Sequence, residues 1–322
     1  METLLMQIRP LTAFGGQIKG DTLFGQFCWA MVHRYGESML TELLHGYTKG
    51  DPYLVCSDAF PQGYIPRPAL PFDYYDRLLD VEHKRIKKRQ WLPLEKVMQP
   101  IEKWLGYCRT EEDIAKEFGL KASVLSERHA QPHNSIHRKF NTTIGGNLSP
   151  YSLPQHWFTP GMLLDIWLLF DPDHLNITDL CGLAENIGKI GFGRDASIGL
   201  GKFKLENCCA ATLPHQVAWN ARLTLAPSAP QGLGLQAEHC YYEPFTRFGR
   251  HGDRAVLTGK PFKNPILMAD TGAVMVETTA TSSNFVGQGL GGGKELSNAI
   301  DGTVHQGYAP CIGIYLKEAA YE

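Results

Sequence analysis

No stretch of the 322 residues is long and apolar enough to cross a bilayer. The longest strongly apolar run, residues 162–170, is interrupted by Asp165 and falls far short of the ~20 residues a spanning helix needs. Glu2, Arg9, Lys19 and Asp21 interrupt the opening segment, which has no apolar run ahead of a small-residue cleavage site, so no secretory leader is expected. The eight cysteines (Cys28, Cys56, Cys108, Cys181, Cys208, Cys209, Cys240 and Cys311) include no C-x-x-C pair. They are expected to be reduced thiols in a cytoplasmic protein, without a metal site or disulfide framework. Positive charge is not in excess: 31 Lys and Arg against 33 Asp and Glu give a net charge of −2. That excludes a nucleic-acid binder acting through bulk charge and leaves one acting through a local basic surface. There is no HExxH, no G-x-S-x-G and no carboxylate cluster with metal-ligand spacing, so no catalytic group, metal or cofactor is expected.

What remains is ordinary for a globular chain, 43% hydrophobic and 20% charged. Its length exceeds one typical domain of about 100–200 residues, which favours two domains. The 33 glycines and 20 prolines predict many shaped loops.

Residues 3–9 alternate, with Leu4, Met6 and Ile8 on one face, which predicts a half-buried strand. A loop over 10–20 holds Phe14, Gly15, Gly16 and Lys19. Asp21 reads as the N-cap of a helix over 22–35, with Leu23, Phe24, Phe27 and Met31 at helical spacing and Gly36 as its stop. A short helix is expected over 37–45. Residues 53–72 are rich in proline and aromatics, 83–89 form a basic run, and 94–124 look helical with breaks. Polar, weakly periodic residues 125–160 read as a long hairpin or projecting loop.

A strand over 162–170 follows, then a helix over 176–187 with Leu180, Leu183, Ala184 and Ile187 inward, a glycine-rich loop over 188–201, and a strand near 202–206. Strand–helix, insertion, strand–helix–loop–strand fits the split βαβ, ferredoxin-like arrangement. Further on, strands are expected over 221–225, 267–277 and 311–317, and a helix over 295–300.

Residues 188–203, GKIGFGRDASIGLGKF, are the most informative. Their glycines permit positive φ and close backbone approach, and successive N–H groups in such a loop cradle phosphate oxygens. Lys189, Arg194, Lys202 and Lys204 oppose only Asp195. The G-x-G-x-x-A within it follows a helix and precedes a strand, the reverse of a dinucleotide-binding loop. A tight structural loop is the plain alternative. A second cluster, 287–294, fits G-x-G-x-x-G without a βαβ unit around it and reads as a flexible or backbone-packing loop. Residues 133–147 are dense in hydrogen-bond donors. His133 and His137 there are either an acid/base pair for RNA cleavage or surface groups touching phosphates and bases. The basic run from Lys84 to Arg89 is a solvated face or a phosphate contact.

Four segments in order, 10–29 (PLTAFGGQIKGDTLFGQFCW), 133–138 (HNSIHR), 190–203 (IGFGRDASIGLGKF) and 304–309 (VHQGYA), resemble the RAMP superfamily of CRISPR proteins. More narrowly they resemble subunit four of the Csm effector complexes of type III-A. The resemblance implies an α+β fold of two ferredoxin-like (RRM-like) domains. The first, 1–215, would carry an insertion over 46–160 with a projecting hairpin, and the second would span 216–322.

The resemblance also implies a non-catalytic subunit in antiviral defence. Such a subunit grips the 5′ handle of the CRISPR RNA and bridges the large polymerase/nuclease subunit to the first backbone filament subunit. Carried over residue by residue, the RNA-binding surface comprises Phe14, Gly15, Gly16, Lys19, Asp21 and Thr22 from the first loop. It adds His133, Asn134, Ile136 and Arg138 from the insertion, and Gly191, Phe192, Gly193, Arg194, Asp195, Ala196 and Ser197 from the glycine-rich loop. Phe14 and Phe192 would stack on bases, and Arg138 and Arg194 would fork onto phosphates. Ile198 departs from the family pattern, in which Ser or Thr is followed by Gly. The alternatives are a metal-independent, repeat-processing endoribonuclease using His133, His137 and Lys139, the equivalent type III-B subunit, and a nucleotide-dependent enzyme using residues 287–292.

Overall fold

The computed structural model describes residues 1–78, 82–143, 149–253, 256, 259–279 and 283–317, so residues 144–147 of the donor-rich segment lie outside it. The chain begins with strand β1 (Glu2–Pro10), helices α1 (Gly20–Tyr35) and α2 (Glu37–Leu43), and strands β2 (Leu54–Pro61) and β3 (Tyr64–Pro66). Helix α3 (His83–Lys88), strand β4 (Trp91–Pro93), and helices α4 (Trp104–Tyr107) and α5 (Glu111–Glu117) complete the first part of the insertion. Next come strands β5 (Ser126–His133), β6 (Tyr151–Phe158) and β7 (Leu164–Phe170), helix α6 (Ile177–Ile190) and strand β8 (Phe203–Ala210). The remainder is β9 (Ala221–Thr224), β10 (Pro244–Arg247), β11 (Ile266–Ala269), β12 (Val274–Met275), β13 (Phe285–Gly291) and β14 (Val304–Ile314). None of the described helices is long and apolar enough to cross a membrane.

The first sheet has the order β2-β7-β1-β8, all neighbours antiparallel, with α1 joining β1 to β2 and α6 joining β7 to β8. This is the split βαβ arrangement. Alternation in β1 buries Leu4, Met6 and Ile8 against Leu23, Phe24 and Phe27 of α1 and Leu180, Leu183 and Ile187 of α6. Each such side chain contributes about 1.5–3 kcal/mol. Strand β7 lies inside the sheet and is buried on both faces. Its Asp165 is satisfied there by the Gln7 amide (3.0 Å) and the Gly63 N–H (2.8 Å). Asn176 caps α6 by accepting the Asp179 N–H. Lys19, not Asp21, occupies the N-cap of α1, and Asp21 sits inside the first turn facing the core. Strands β5 and β6 pair from Ser126↔Phe158 to His133↔Tyr151, so 125–160 is a long hairpin.

The second half departs from expectation. Its sheet runs β12-β9-β14-β13, and among the described residues beyond 216 there is no α-helix to complete a second ferredoxin-like domain. The helix expected over 295–300 is absent because the Ser297 hydroxyl takes the Ala299 and Ile300 N–H groups, both at 3.0 Å, in place of helical carbonyls. The strand expected over 267–277 is split into β11 and β12 by a turn at Gly272, φ 87°. Apolar residues of the insertion, Ile65, Leu92 and Trp104, share a core with Leu223 and Ile312 of this sheet.

Residues 287–291 of the second glycine cluster lie in strand β13 rather than in a loop. A Cβ at Gly287 would stand 2.1 Å from the Gly307 carbonyl oxygen, and one at Gly289 would stand 2.3 Å from that of Tyr47. Close backbone packing, not a dinucleotide, explains those glycines.

The reading of all cysteines as reduced thiols is corrected as well. Cys181 on α6 and Cys208 on β8 form a disulfide across 27 residues. Helix-to-strand packing across α6 and β8 brings them together, which spacing alone does not reveal. Closing a loop of this size stabilises a fold by about 2–4 kcal/mol. Urea denaturation with and without reductant is expected to show a loss in that range, and Cys181→Ser should abolish the reductant dependence.

Candidate nucleic-acid interface

Three segments distant in sequence meet at Phe14. Its N–H donates to the His156 carbonyl and its carbonyl accepts the His156 N–H, both at 2.8 Å, which fastens the first loop to β6. Its ring meets Phe158 edge-on at 5.4 Å and Phe192 of the glycine-rich loop at 6.3 Å. The Gly201 N–H donates to the Ala13 carbonyl (2.7 Å), and an Arg194 guanidinium N–H donates to the Pro154 carbonyl (2.8 Å). Gly15 permits this approach, because a Cβ there would lie 2.5 Å from the Arg194 carbonyl oxygen. The first loop, the hairpin and the glycine-rich loop therefore form one edge.

Not every expected contact residue faces outward. Phe14 and Phe192 are buried, correcting their reading as stacking platforms: their rings fill the junction that joins the loops. Lys19 lies in ion pairs with Asp58 (3.0 Å) and Asp270 (2.7 Å) and over the Phe245 ring. Burial alone would lower its ammonium pKa, but the two carboxylates raise it. Asp21 is buried between Arg247, which donates to both its oxygens at 2.6 Å, and the His305 ring at 3.2 Å. Burial would raise its carboxyl, yet His305 and Arg247 prevail and hold it well below the usual carboxylate range. Thr22 is half-buried in the first turn beside Asp21, and Gly16 has open space around its Cα.

On the hairpin, His133 stacks on Tyr151 at 5.3 Å, and Asn134, Ile136 and Arg138 are exposed near its tip. His137 packs on Phe140 at 4.9 Å. In the glycine-rich loop Gly191 is buried, Asp195 adopts φ 66°, and Ala196 and Ser197 lie in a short turn with Ile198 exposed. The Arg194 fork holds this loop against the hairpin. Arg138 is exposed, and nothing lies within 4 Å of a Cβ built at Gly193.

Sequence reasoning missed Tyr151, Trp157 and Arg128. The β5–β6 register places Tyr151 and Trp157 on one face, 51% and 46% exposed, and Arg128 opposite His156 on the other. Alternation in 151–158 was the available signal, but the exposed face follows only from the pairing. Burial, then the Arg128 and Arg194 charges, lower the His156 pKa and favour its neutral ring. Among the described residues, no group of three or more His, Cys, Asp or Glu could hold a metal ion.

Two glycines separate scaffold from surface. Gly193 (φ 76°) has nothing near a built Cβ, whereas a Cβ at Gly201 (φ 73°) would lie 2.1 Å from the Phe192 carbonyl oxygen. Gly193→Ala is expected to cost about 1–2 kcal/mol of backbone strain. Gly201→Ala should cost clearly more, as read by urea midpoints of the two variants.

No family model and no curated protein matches this chain. Solved structures do. A chain of a Csm1-Csm4 cassette in complex with pppApA aligns over 99% of this chain and 100% of its own, at 14% identity and a TM-score of 0.57. The cassette in complex with cA4 gives 98% and 98%, at 14% and 0.59. A Csm3-Csm4 subcomplex in the type III-A CRISPR-Cas interference complex gives 95% and 99%, at 14% and 0.56. Csm4 is the component common to these assemblies, and the chain has a Csm4-like α+β fold along nearly its whole length.

Proposed function

We propose that this chain is a non-catalytic subunit of a type III-A CRISPR effector complex, acting in antiviral defence. It holds the 5′ handle of the CRISPR RNA and bridges the large polymerase/nuclease subunit to the first backbone filament subunit. The observation that carries this reading is the continuous edge built at Phe14. It sets the hairpin, with exposed Tyr151, Trp157 and Arg138, beside a loop whose open backbone lies at Gly193. Single-stranded RNA presents unstacked bases and phosphates, which aromatic faces, guanidinium groups and free amides bind. A guide shared among subunits does not require a strongly basic chain, so a net charge of −2 is compatible with the role.

The second half supplies surface suited to a neighbouring subunit. The β10–β11 ribbon alternates, turning Phe245 and Arg247 inward, while Phe248 and Leu267 are 75% and 57% exposed. Exposed apolar side chains of this kind are available for contact with a neighbouring subunit. Co-expression with a type III-A large subunit and filament subunit tests the bridging role. A ternary complex that falls apart when this chain is omitted supports it. Full assembly of the other two without this chain would refute it.

A further inference from the structure

A cleft of about 450 Å³ opens between the loop before α1, strands β2 and β4, and the base of the β5–β6 hairpin. Aromatic rings of Trp91 and Phe158 form part of its wall. Gln17, Gln90, Arg128 and His156 also line it, and among the described residues none of their side chains has a hydrogen-bond or ion-pair partner. The Trp91 indole N–H is shielded from solvent and likewise unpaired. By contrast, the acids there are engaged: Asp58 by Lys19 and the Gly20 N–H, and Glu111 by the Leu125 N–H.

Unpaired polar groups converging on an aromatic-walled cleft are the makings of a ligand site. The chemistry is specific. Each glutamine amide presents a donor and an acceptor, matching the edge of a nucleobase. The rings offer stacking, and Arg128 is a free cation at the same cleft. His156 also belongs to the bridge with Phe14, so the cleft adjoins the edge described above.

We propose that this cleft holds one nucleotide extruded from bound single-stranded RNA, its base against Trp91 and Phe158 and read by Gln17 and Gln90, its phosphate at Arg128. The proposal rests on the RNA-binding reading and names where one base goes.

The test uses the full chain and RNA oligonucleotides bearing the 5′ handle, with a single abasic nucleotide moved through the handle. Wild type is expected to lose about tenfold in affinity at one position, the weight of one stacked and hydrogen-bonded base. The Gln17→Ala/Gln90→Ala variant changes two exposed side chains, so it should keep the wild-type urea midpoint. It is expected to bind intact RNA about tenfold more weakly and to show little further loss at that abasic position. If it binds intact RNA like wild type and keeps the abasic penalty, the cleft is not a base site, while the RNA-binding reading stands. If the variant, co-expressed with a type III-A large subunit and filament subunit, fails to assemble while its RNA affinity is unchanged, the proposal is overturned in favour of a partner side chain. Absence of any RNA binding by wild type removes both readings.

Discussion

Asp21→Ala is expected to destabilise the fold by about 3–5 kcal/mol, the cost of leaving a buried charge without its partner. The Asp21 side chain has no solvent exposure and lies between Arg247 of β10 and His305 of β14, so it ties the first helix to the second half of the chain. Removing the carboxylate strands a guanidinium that is 23% exposed. The effect depends on pH. Because the folded-state carboxyl is held below its ordinary value, its contribution is complete above the unfolded pKa of about 4 and is lost as pH falls toward the folded one. Urea denaturation at pH 7 and pH 3 should show the wild type losing part of its advantage over Asp21→Ala in acid. Equal midpoints at pH 7 would mean that the ion pairs do not hold the two halves together.

Phe14→Ala is expected to cost about 3–5 kcal/mol, the range for truncating a fully buried aromatic ring. A solvent-facing phenylalanine would cost within about 0.5 kcal/mol, so stability alone distinguishes a junction residue from a stacking platform. The loss should also be local. Phe14 is the shared neighbour of Phe158 and Phe192, and its removal frees the hairpin from the glycine-rich loop. Amide exchange of His156, whose N–H is bonded to Phe14, is expected to quicken in Phe14→Ala and stay near wild type in Phe14→Leu. Unchanged exchange in both would contradict the junction.

The elements of the first half were legible because their periods are clean. Leu4, Met6 and Ile8 alternate, and Leu180, Leu183, Ala184 and Ile187 recur at helical spacing, so β1 and α6 emerge from local pattern. In the second half the strand expected over 221–225 appears as β9, but β11 and β12 are too short to show a period and read as one strand, and glycines in β13 serve backbone packing rather than loop formation. The candidate site was legible as three segments but not in its orientation. Phe14 and Phe192 look like ideal stacking residues until their neighbours are known, and Asp21 looks like a cap until Arg247, 226 positions away, is placed beside it. Tyr151 and Trp157 were hidden in a segment whose outward face is set by pairing with β5. The Cys181–Cys208 bond likewise depends on how α6 packs on β8.

The role proposed for this chain is to hold the 5′ handle without cutting it. Filter binding of the full chain to CRISPR RNA with an intact or a scrambled 5′ handle, in EDTA, followed by a denaturing gel, tests it most directly. Binding that depends on the intact handle, with the RNA recovered whole, is the expected result. Equal binding to both RNAs, or a discrete cut within the repeat, would contradict it.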